Sequence, residues 1–142
     1  MLTRTTLLIG ALTLFFAGSI CPAQTKRNLK NVTGQYRLRK DEFHNSLDIE
    51  LLRHDRIKFH LIALWVSHNN PDNIHNGELH GTIELHNNVG VYDGSDCKLK
   101  IEFSAAAAKI TEINQEGCGF GANVTAAGNY RKVGNRKPRF DF

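Results

Sequence analysis

The sequence has few of the features that mark disordered, fibrous or membrane-spanning chains. It contains 3 Pro and 1 Trp in 142 residues, while 41% of the residues are hydrophobic and 23% are charged. This composition is too hydrophobic for a disordered tail and lacks the bias of collagen or a coiled coil. No run of 18 apolar residues occurs, so we expect no transmembrane segment. A single folded domain is the class that remains.

Motifs for catalysis are also missing. The chain shows no nucleophile elbow, no glycine-rich phosphate loop before a helix and no evident pair of catalytic carboxylates. We therefore predict a protein that is not an enzyme and that needs no cofactor.

The first residues are typical of a secretory signal. Arg4 precedes an uncharged, mostly apolar run at 6–18, which is too short to cross a bilayer. The small-x-small pattern favours cleavage after Ala23, with cleavage after Ser19 as the alternative. A lipoprotein anchored at Cys21 is a third interpretation, which the bulky side chain before that cysteine does not favour.

This interpretation divides the chain into four segments and places it in the periplasm or outside the cell. The expected segments are a signal peptide at 1–23, a basic segment at 24–32, a β-barrel domain at 33–132 and a basic tail at 133–142.

Two cysteines remain after the predicted cleavage, Cys97 and Cys118. An even pair in an exported chain most simply forms one disulfide bond, which would be worth roughly 3 kcal/mol for a loop of this length. Two buried free thiols are the alternative.

Period-two alternation of apolar and polar residues dominates the chain, and no long stretch has a helical period. In the segment 97–104, for example, Leu99, Ile101 and Phe103 alternate with charged residues. We therefore predict an all-β chain with about eight short strands. The expected strands are 33–38, 47–51, 56–66, 78–86, 89–92, 97–104, 109–115 and 120–132.

Short turns between these strands predict a meander of hairpins, with turns at 87–88, 93–94 and 116–117. Residues 105–108 are expected to form a connector, with room for one helical turn, and 68–77 the longest loop. Eight strands suffice for a small antiparallel up-and-down barrel like that of lipocalins and avidins. A two-sheet β-sandwich is the alternative.

The predicted disulfide tests this arrangement. In a plain meander the two cysteines would flank an intervening strand, at two strand spacings or roughly 9.5 Å, beyond the reach of a disulfide. Either the turn at Gly94 or the turn at Gly117 must then fold across the barrel rim, or the meander is wrong there.

Charge is unevenly distributed. Residues 24–40 and 131–142 carry eleven cations and one acid, whereas 41–130 carry six cations and thirteen acids. Because the first and last strands of a closed meander pair, we expect the basic residues to lie together at one pole of the barrel. This pole either binds a polyanion or consists of solvated termini that protect the junction of the two strands. Nucleic acid is not favoured, since the tails show no aromatic residues interleaved with the charges for base stacking. The predicted basic patch comprises Arg37, Arg39, Lys40, Arg131, Lys132, Arg136, Lys137 and Arg139.

All seven histidines lie between residues 44 and 86. Imidazole and carboxylate groups are ligands of zinc and copper, so His68, Asp72, His75 and His80 are candidate ligands. Their spacing matches no established metal site, and surface polarity is the alternative that we favour.

Two resemblances bear on the fold. Gly34-Gln35-Tyr36 resembles the Gly-x-Trp opening of lipocalins and avidins, with Tyr in place of Trp. The single Trp argues against an avidin-like biotin pocket.

A longer resemblance covers residues 77–132. Gly77-Glu78-Leu79, Cys118-Gly119-Phe120-Gly121 and Gly128-Asn129-Tyr130 follow one another as in a group of small exported, mostly uncharacterised bacterial domains that we associate with lysozyme-inhibitor-like proteins. This resemblance implies a periplasmic or secreted β-barrel with a Cys97–Cys118 bridge, and it implies no active site.

Three hypotheses follow for the function. The first is an exported, non-enzymatic protein that binds a macromolecule of the cell envelope, such as the cationic hydrolase lysozyme, through its acidic central strands and loops. The second is a carrier of a small apolar ligand inside the barrel, which a packed interior would exclude. The third is a metal-binding protein. The sequence does not indicate an oligomeric state.

Overall fold

The computed structural model describes residues 31–94, 96–114 and 118–142. The predicted signal peptide, most of the predicted basic segment at 24–32 and the predicted turn at 116–117 therefore lie outside the described residues. None of the described residues forms a helix, and so none forms a helix long and apolar enough to cross a membrane.

The predicted all-β fold is confirmed. Eight antiparallel strands close into one barrel in the order of the chain, so the alternative β-sandwich was wrong. The strands are β1 (Gly34–Lys40), β2 (Phe43–Leu51), β3 (Arg56–Val66), β4 (Ile74–His86), β5 (Val89–Asp93), β6 (Lys98–Phe103), β7 (Ala107–Glu112) and β8 (Gly128–Gly134).

Alternating burial along the strands builds the core, as the sequence pattern predicts. In β3, for example, Ile57, Phe59, Leu61 and Ala63 point inward and are fully buried. Each large apolar side chain buried in this way contributes roughly 1.5–3 kcal/mol.

The predicted turn at 87–88 is confirmed. Asn87 and Asn88 have φ angles of 53° and 67°, as a type I′ hairpin turn requires. The 105–108 connector is shorter than expected, because Ala107 already begins β7 and its carbonyl accepts a hydrogen bond from the Ser104 amide at 2.8 Å. No helical turn forms there.

The predicted loop at 68–77 was too long. Strand β4 begins at Ile74, which pairs with Val66, and His75 pairs with Trp65. Pairing with the long strand β3 thus extends β4 into a segment whose Asn and Gly residues have low strand propensity. The β3–β4 loop is restricted to 67–73.

The predicted last strand at 120–132 was also too long, because β8 begins only at Gly128. Residues 118–127, which we call the end loop, lie across one end of the barrel instead. The predicted strand at 109–115 ends at Glu112. We call the end of the barrel under this loop the covered end and the opposite one, where β1 begins and β8 ends, the terminal end.

Two tyrosines on neighbouring strands anchor opposite ends of the barrel. The Tyr36 hydroxyl donates to the Val32 carbonyl and the Tyr130 hydroxyl to the Ala126 carbonyl, each at 2.7 Å and each to the residue four positions earlier. Both side chains are buried. Burial raises the pKa of Tyr36 to about 12, and burial likewise raises the pKa of Tyr130 well above its ordinary value.

Alkaline pH should therefore destabilise the fold through these two phenols. Because the phenol pKa is higher in the folded state, its contribution to the free energy of unfolding is complete below the unfolded pKa of about 10. This contribution is lost as the pH rises toward 12, by at most ~1.4 kcal/mol per pH unit for each tyrosine. Urea unfolding between pH 9 and 12 should show this loss, and Tyr36→Phe should make it shallower. An equal pH slope in the wild type and in Tyr36→Phe would contradict this account.

Candidate functional site

The end loop reaches its partners across the barrel rim. Cys118 forms the disulfide with Cys97, immediately before β6, and their Cα atoms are 4.1 Å apart. The predicted bridge is thus present, and β7 does not separate the two cysteines, because Cys118 lies in the end loop and not at the start of β8. The Gly94 amide donates to the Cys97 carbonyl at 2.9 Å, and the predicted turn at Gly117 lies outside the described residues.

Beyond the disulfide, the end loop packs on the beginning of β4. The Phe120 ring covers Gly77 so closely that a Cβ atom on this glycine would lie 2.1 Å from the ring. The Gly121 amide donates to the Asn76 carbonyl at 3.2 Å, and His75 Nδ1 lies 2.6 Å from the Ala122 carbonyl oxygen. A carbonyl can only accept, so this contact requires the proton on Nδ1.

The last residues of the end loop are held by polar side chains from the strands below. The Glu112 carboxylate accepts hydrogen bonds from the Thr125 hydroxyl at 2.9 Å and from the Ala126 amide at 2.6 Å. Asn45 donates to the Thr125 carbonyl at 2.8 Å and to the Tyr130 hydroxyl at 3.1 Å, and it accepts from the Leu64 amide at 2.9 Å. This network ties the end loop to β2, β3, β7 and β8.

The network is fully satisfied. Asn45 is 1% exposed, and no buried side-chain polar atom of the described residues lacks a hydrogen-bond partner. An isolated buried amide would be costly, whereas a saturated one fixes a single arrangement. The covered end is therefore closed by defined contacts.

The barrel interior is filled with side chains. Phe59 and Tyr130 are fully buried and Phe103 is 8% exposed, while Trp65 and Phe120 are half-buried toward the covered end. Three grooves of the described part of the chain lie on the outer wall and at the rim. We find no support in this packing for a ligand chamber.

The structure does not bring the four candidate metal ligands together. His75 points inward beneath the end loop, whereas His80 points outward and stacks on Phe142, with ring centroids 4.1 Å apart. His68 and Asp72 lie in the β3–β4 loop. Among the described residues no group of three His, Cys, Asp or Glu side chains is close enough to hold a metal ion.

The predicted basic patch is divided between three places. Arg37 pairs with Arg131 across the β1–β8 seam, and Arg39 and Lys40 continue along β1 as exposed residues. Lys132 lies at the terminal end, where its Nζ donates to the Asn31 carbonyl at 3.2 Å and lies 5.7 Å from the centre of the Tyr36 ring. Burial lowers the pKa of Lys132.

The third part of the basic patch lies on the C-terminal segment 135–142, which packs against the outer wall. Lys137 Nζ is 2.7 Å from the Glu50 carboxylate, and Lys58 Nζ donates to the Phe142 carbonyl at 2.8 Å. The Phe142 ring packs on His60 and His80. The charge pattern predicts only a basic tail here, although the two phenylalanines of the segment indicate docking on the wall. Its remaining predicted patch residues, Arg136 and Arg139, are exposed.

Most acids on the strand walls are already paired. Asp48, Glu50, Glu78, Glu84, Asp93 and Glu102 each lie within ion-pair distance of a basic or histidine side chain. In contrast, Asp41 in the β1–β2 turn and Asp72 in the β3–β4 loop form no ion pair among the described residues. Both lie at the covered end. Free acidic groups thus lie on loops rather than along the central strands: these two are at the covered end, and Asp55 in the loop between β2 and β3 at the terminal end also forms no ion pair among the described residues.

The fold and these contacts define a small closed antiparallel barrel with a solid interior and one end covered by a disulfide-bonded loop. No family model matches the chain, and neither a curated protein nor a solved structure is significantly similar to it. Its function therefore has to be inferred from the geometry.

The contact between Phe120 and Gly77 gives a test of how the end loop is held. Gly77→Ala should destabilise the fold by ~1–3 kcal/mol, because the new methyl group overlaps the ring. Phe120→Ala removes the ring, so in its presence Gly77→Ala should cost much less. A double-mutant cycle by urea unfolding measures this coupling, and additive effects would show that the end loop does not rest on β4.

Loss of the disulfide should weaken the same end. The Cys97→Ala/Cys118→Ala variant should be less stable by ~3 kcal/mol, since the bridge closes a segment with a sequence separation of 21. Urea unfolding of the oxidised wild type, the reduced wild type and the variant provides the measurement. The last two should behave alike, and a reduced wild type as stable as the oxidised one would refute the expected role of the bridge.

Proposed function

We propose that the protein is an exported, non-enzymatic binding protein that recognises another macromolecule of the cell envelope through its outer surface. The observation that carries this proposal is the barrel interior, which is packed beneath an end loop fixed by the disulfide and by Asn45. A packed interior leaves the walls and the rim for recognition. The disulfide suits an oxidising compartment, which supports periplasmic or secreted localisation.

The covered end offers the surface for a cationic hydrolase such as lysozyme. Asp41 and Asp72 lie on two of the loops at the same end as the end loop, and both side chains are exposed and free of ion pairs within the described chain. The turn that holds Asp41 is attached to the end of β3, because the Val66 amide donates to the Glu42 carbonyl at 2.9 Å. Unpaired carboxylates held on defined loops accelerate encounter with a positively charged partner.

Inhibition of lysozyme tests this function directly. The purified protein should slow the hydrolysis of cell walls by lysozyme, and more strongly at low salt than at moderate salt. Asp41→Asn/Asp72→Asn should weaken inhibition several-fold at low salt, and Asn suits the left-handed backbone of Asp41, where φ is 51°.

A matched control is available at the terminal end of the barrel. Asp55→Asn/Glu84→Gln removes the same number of charges, also from exposed residues with one at a left-handed position, and should leave inhibition nearly unchanged. Unaltered hydrolysis with the wild-type protein in stoichiometric excess would eliminate lysozyme as the partner.

A further inference from the structure

The seam that closes the barrel is only partly paired. The ladder between β1 and β8 contains the pairs Gln35–Gly134, Tyr36–Lys132 and Arg37–Arg131, with a bulge after the first. Continued in the same register, it would pair Leu38–Lys40 with the first three residues of β8, and these pairs do not form. Both strands continue past Arg37 and Arg131, so each keeps an edge without a strand partner at the covered end of the seam.

A groove follows this unpaired stretch. Two adjoining hollows of about 460 Å³ each share Leu38, Arg39 and Asn129 along their walls. One extends toward Val133 and the other toward Phe43 at the rim. Apolar side chains therefore line part of a groove that also contains an unpaired strand edge.

The charge along the groove is positive. Arg39 and Arg131 are exposed, and neither has an ion-pair partner among the described residues. Arg37 is the exception, because its guanidinium is 3.0 Å from the Asp48 carboxylate. Arg39 and Arg131 thus carry charges without an ion-pair partner in the described chain, whereas most acids on the strand walls are neutralised by a neighbouring side chain.

We infer that this groove binds an extended acidic peptide segment, which adds to the free edge of β1 at Leu38–Lys40. An unpaired edge offers backbone hydrogen bonds to an added strand. Side chains of an extended peptide alternate between two faces, so apolar residues can contact Leu38 and Phe43 while acidic residues face Arg39 and Arg131. A nonpeptide polyanion could use the arginines but not the edge, which is why the observations favour a peptide.

This site adjoins Asp41, which follows Lys40 in the β1–β2 turn, but it is lined by cations, whereas the groups proposed for lysozyme are the carboxylates of Asp41 and Asp72. Lysozyme inhibition and peptide binding can therefore fail independently. Charge reversal in the groove should not weaken lysozyme inhibition, and Asp72→Asn alone, in the β3–β4 loop away from the groove, should leave peptide binding intact.

The probe is an octapeptide of alternating Asp and Val with blocked ends, and the measurement is titration of the full chain by fluorescence anisotropy. Arg39→Glu/Arg131→Glu should weaken binding about tenfold or more at low salt. The control Arg53→Glu/Arg56→Glu changes two exposed arginines outside the groove by the same charge and should alter affinity by less than about twofold.

A second comparison uses the wild-type protein alone and so does not depend on how the variants fold. The same octapeptide with N-methyl groups on every second amide, prepared in both registers, keeps its charge but loses donors for strand pairing. At least one of the two registers should bind about tenfold more weakly. If both methylated peptides bind as tightly as the unmodified octapeptide, or if polyphosphate of equal charge binds as tightly as the octapeptide, strand addition is overturned. If the unmodified octapeptide does not bind, the site itself is overturned.

Discussion

Three residue pairs join the first strand to the last, and the closed barrel depends on them. Without them the sheet would present two long edges, which are sites of aggregation in water. The seam is supported where it is paired by a close backbone approach. Gly34 has a φ of 150°, and a Cβ atom there would lie 2.2 Å from the Gly134 carbonyl oxygen. Only glycine combines this conformation with this contact.

The same local arrangement occurs on both strands of the seam. Gly128 has a φ of 152°, and a tyrosine follows each of the two glycines after two positions. Because β1 and β8 are antiparallel, Tyr36 anchors the terminal end and Tyr130 the covered end. The seam is therefore secured at its two ends by buried phenols rather than by a full ladder of backbone hydrogen bonds. This explains how the barrel tolerates an unpaired stretch.

The covered end depends on interactions of a different kind. The end loop has little apolar surface of its own apart from Phe120, and its position is set by the disulfide and by hydrogen bonds to His75, Asn45 and Glu112. Each of these partners lies on a different strand. A saturated polar network of this type specifies one arrangement because any displacement would leave buried groups unpaired. We therefore regard the covered end as a rigid surface, which suits recognition.

Alternation in the sequence was sufficient to predict the eight strands and the closed barrel, because a strand with one buried face alternates apolar and polar residues. It failed in 74–77 and in 120–127. At Ile74 the ladder continues because Val66 lies opposite, a long-range contact that composition does not record. Phe120 has the spacing of a strand residue, but its ring packs on the bare backbone of Gly77. Such a contact is visible only when two distant segments are placed together.

The candidate surfaces were less predictable than the fold for the same reason. Counting charges located an excess of acid in the central strands, yet ion pairs such as Lys137 with Glu50 neutralise much of it on the outer wall. The acids left free are on loops, where Asp41 and Asp72 have no basic neighbour within ion-pair distance in the described chain. Net charge is a property of composition, whereas a binding surface depends on which charges lack a partner. Only the register of the strands and the path of the C-terminal segment decide that.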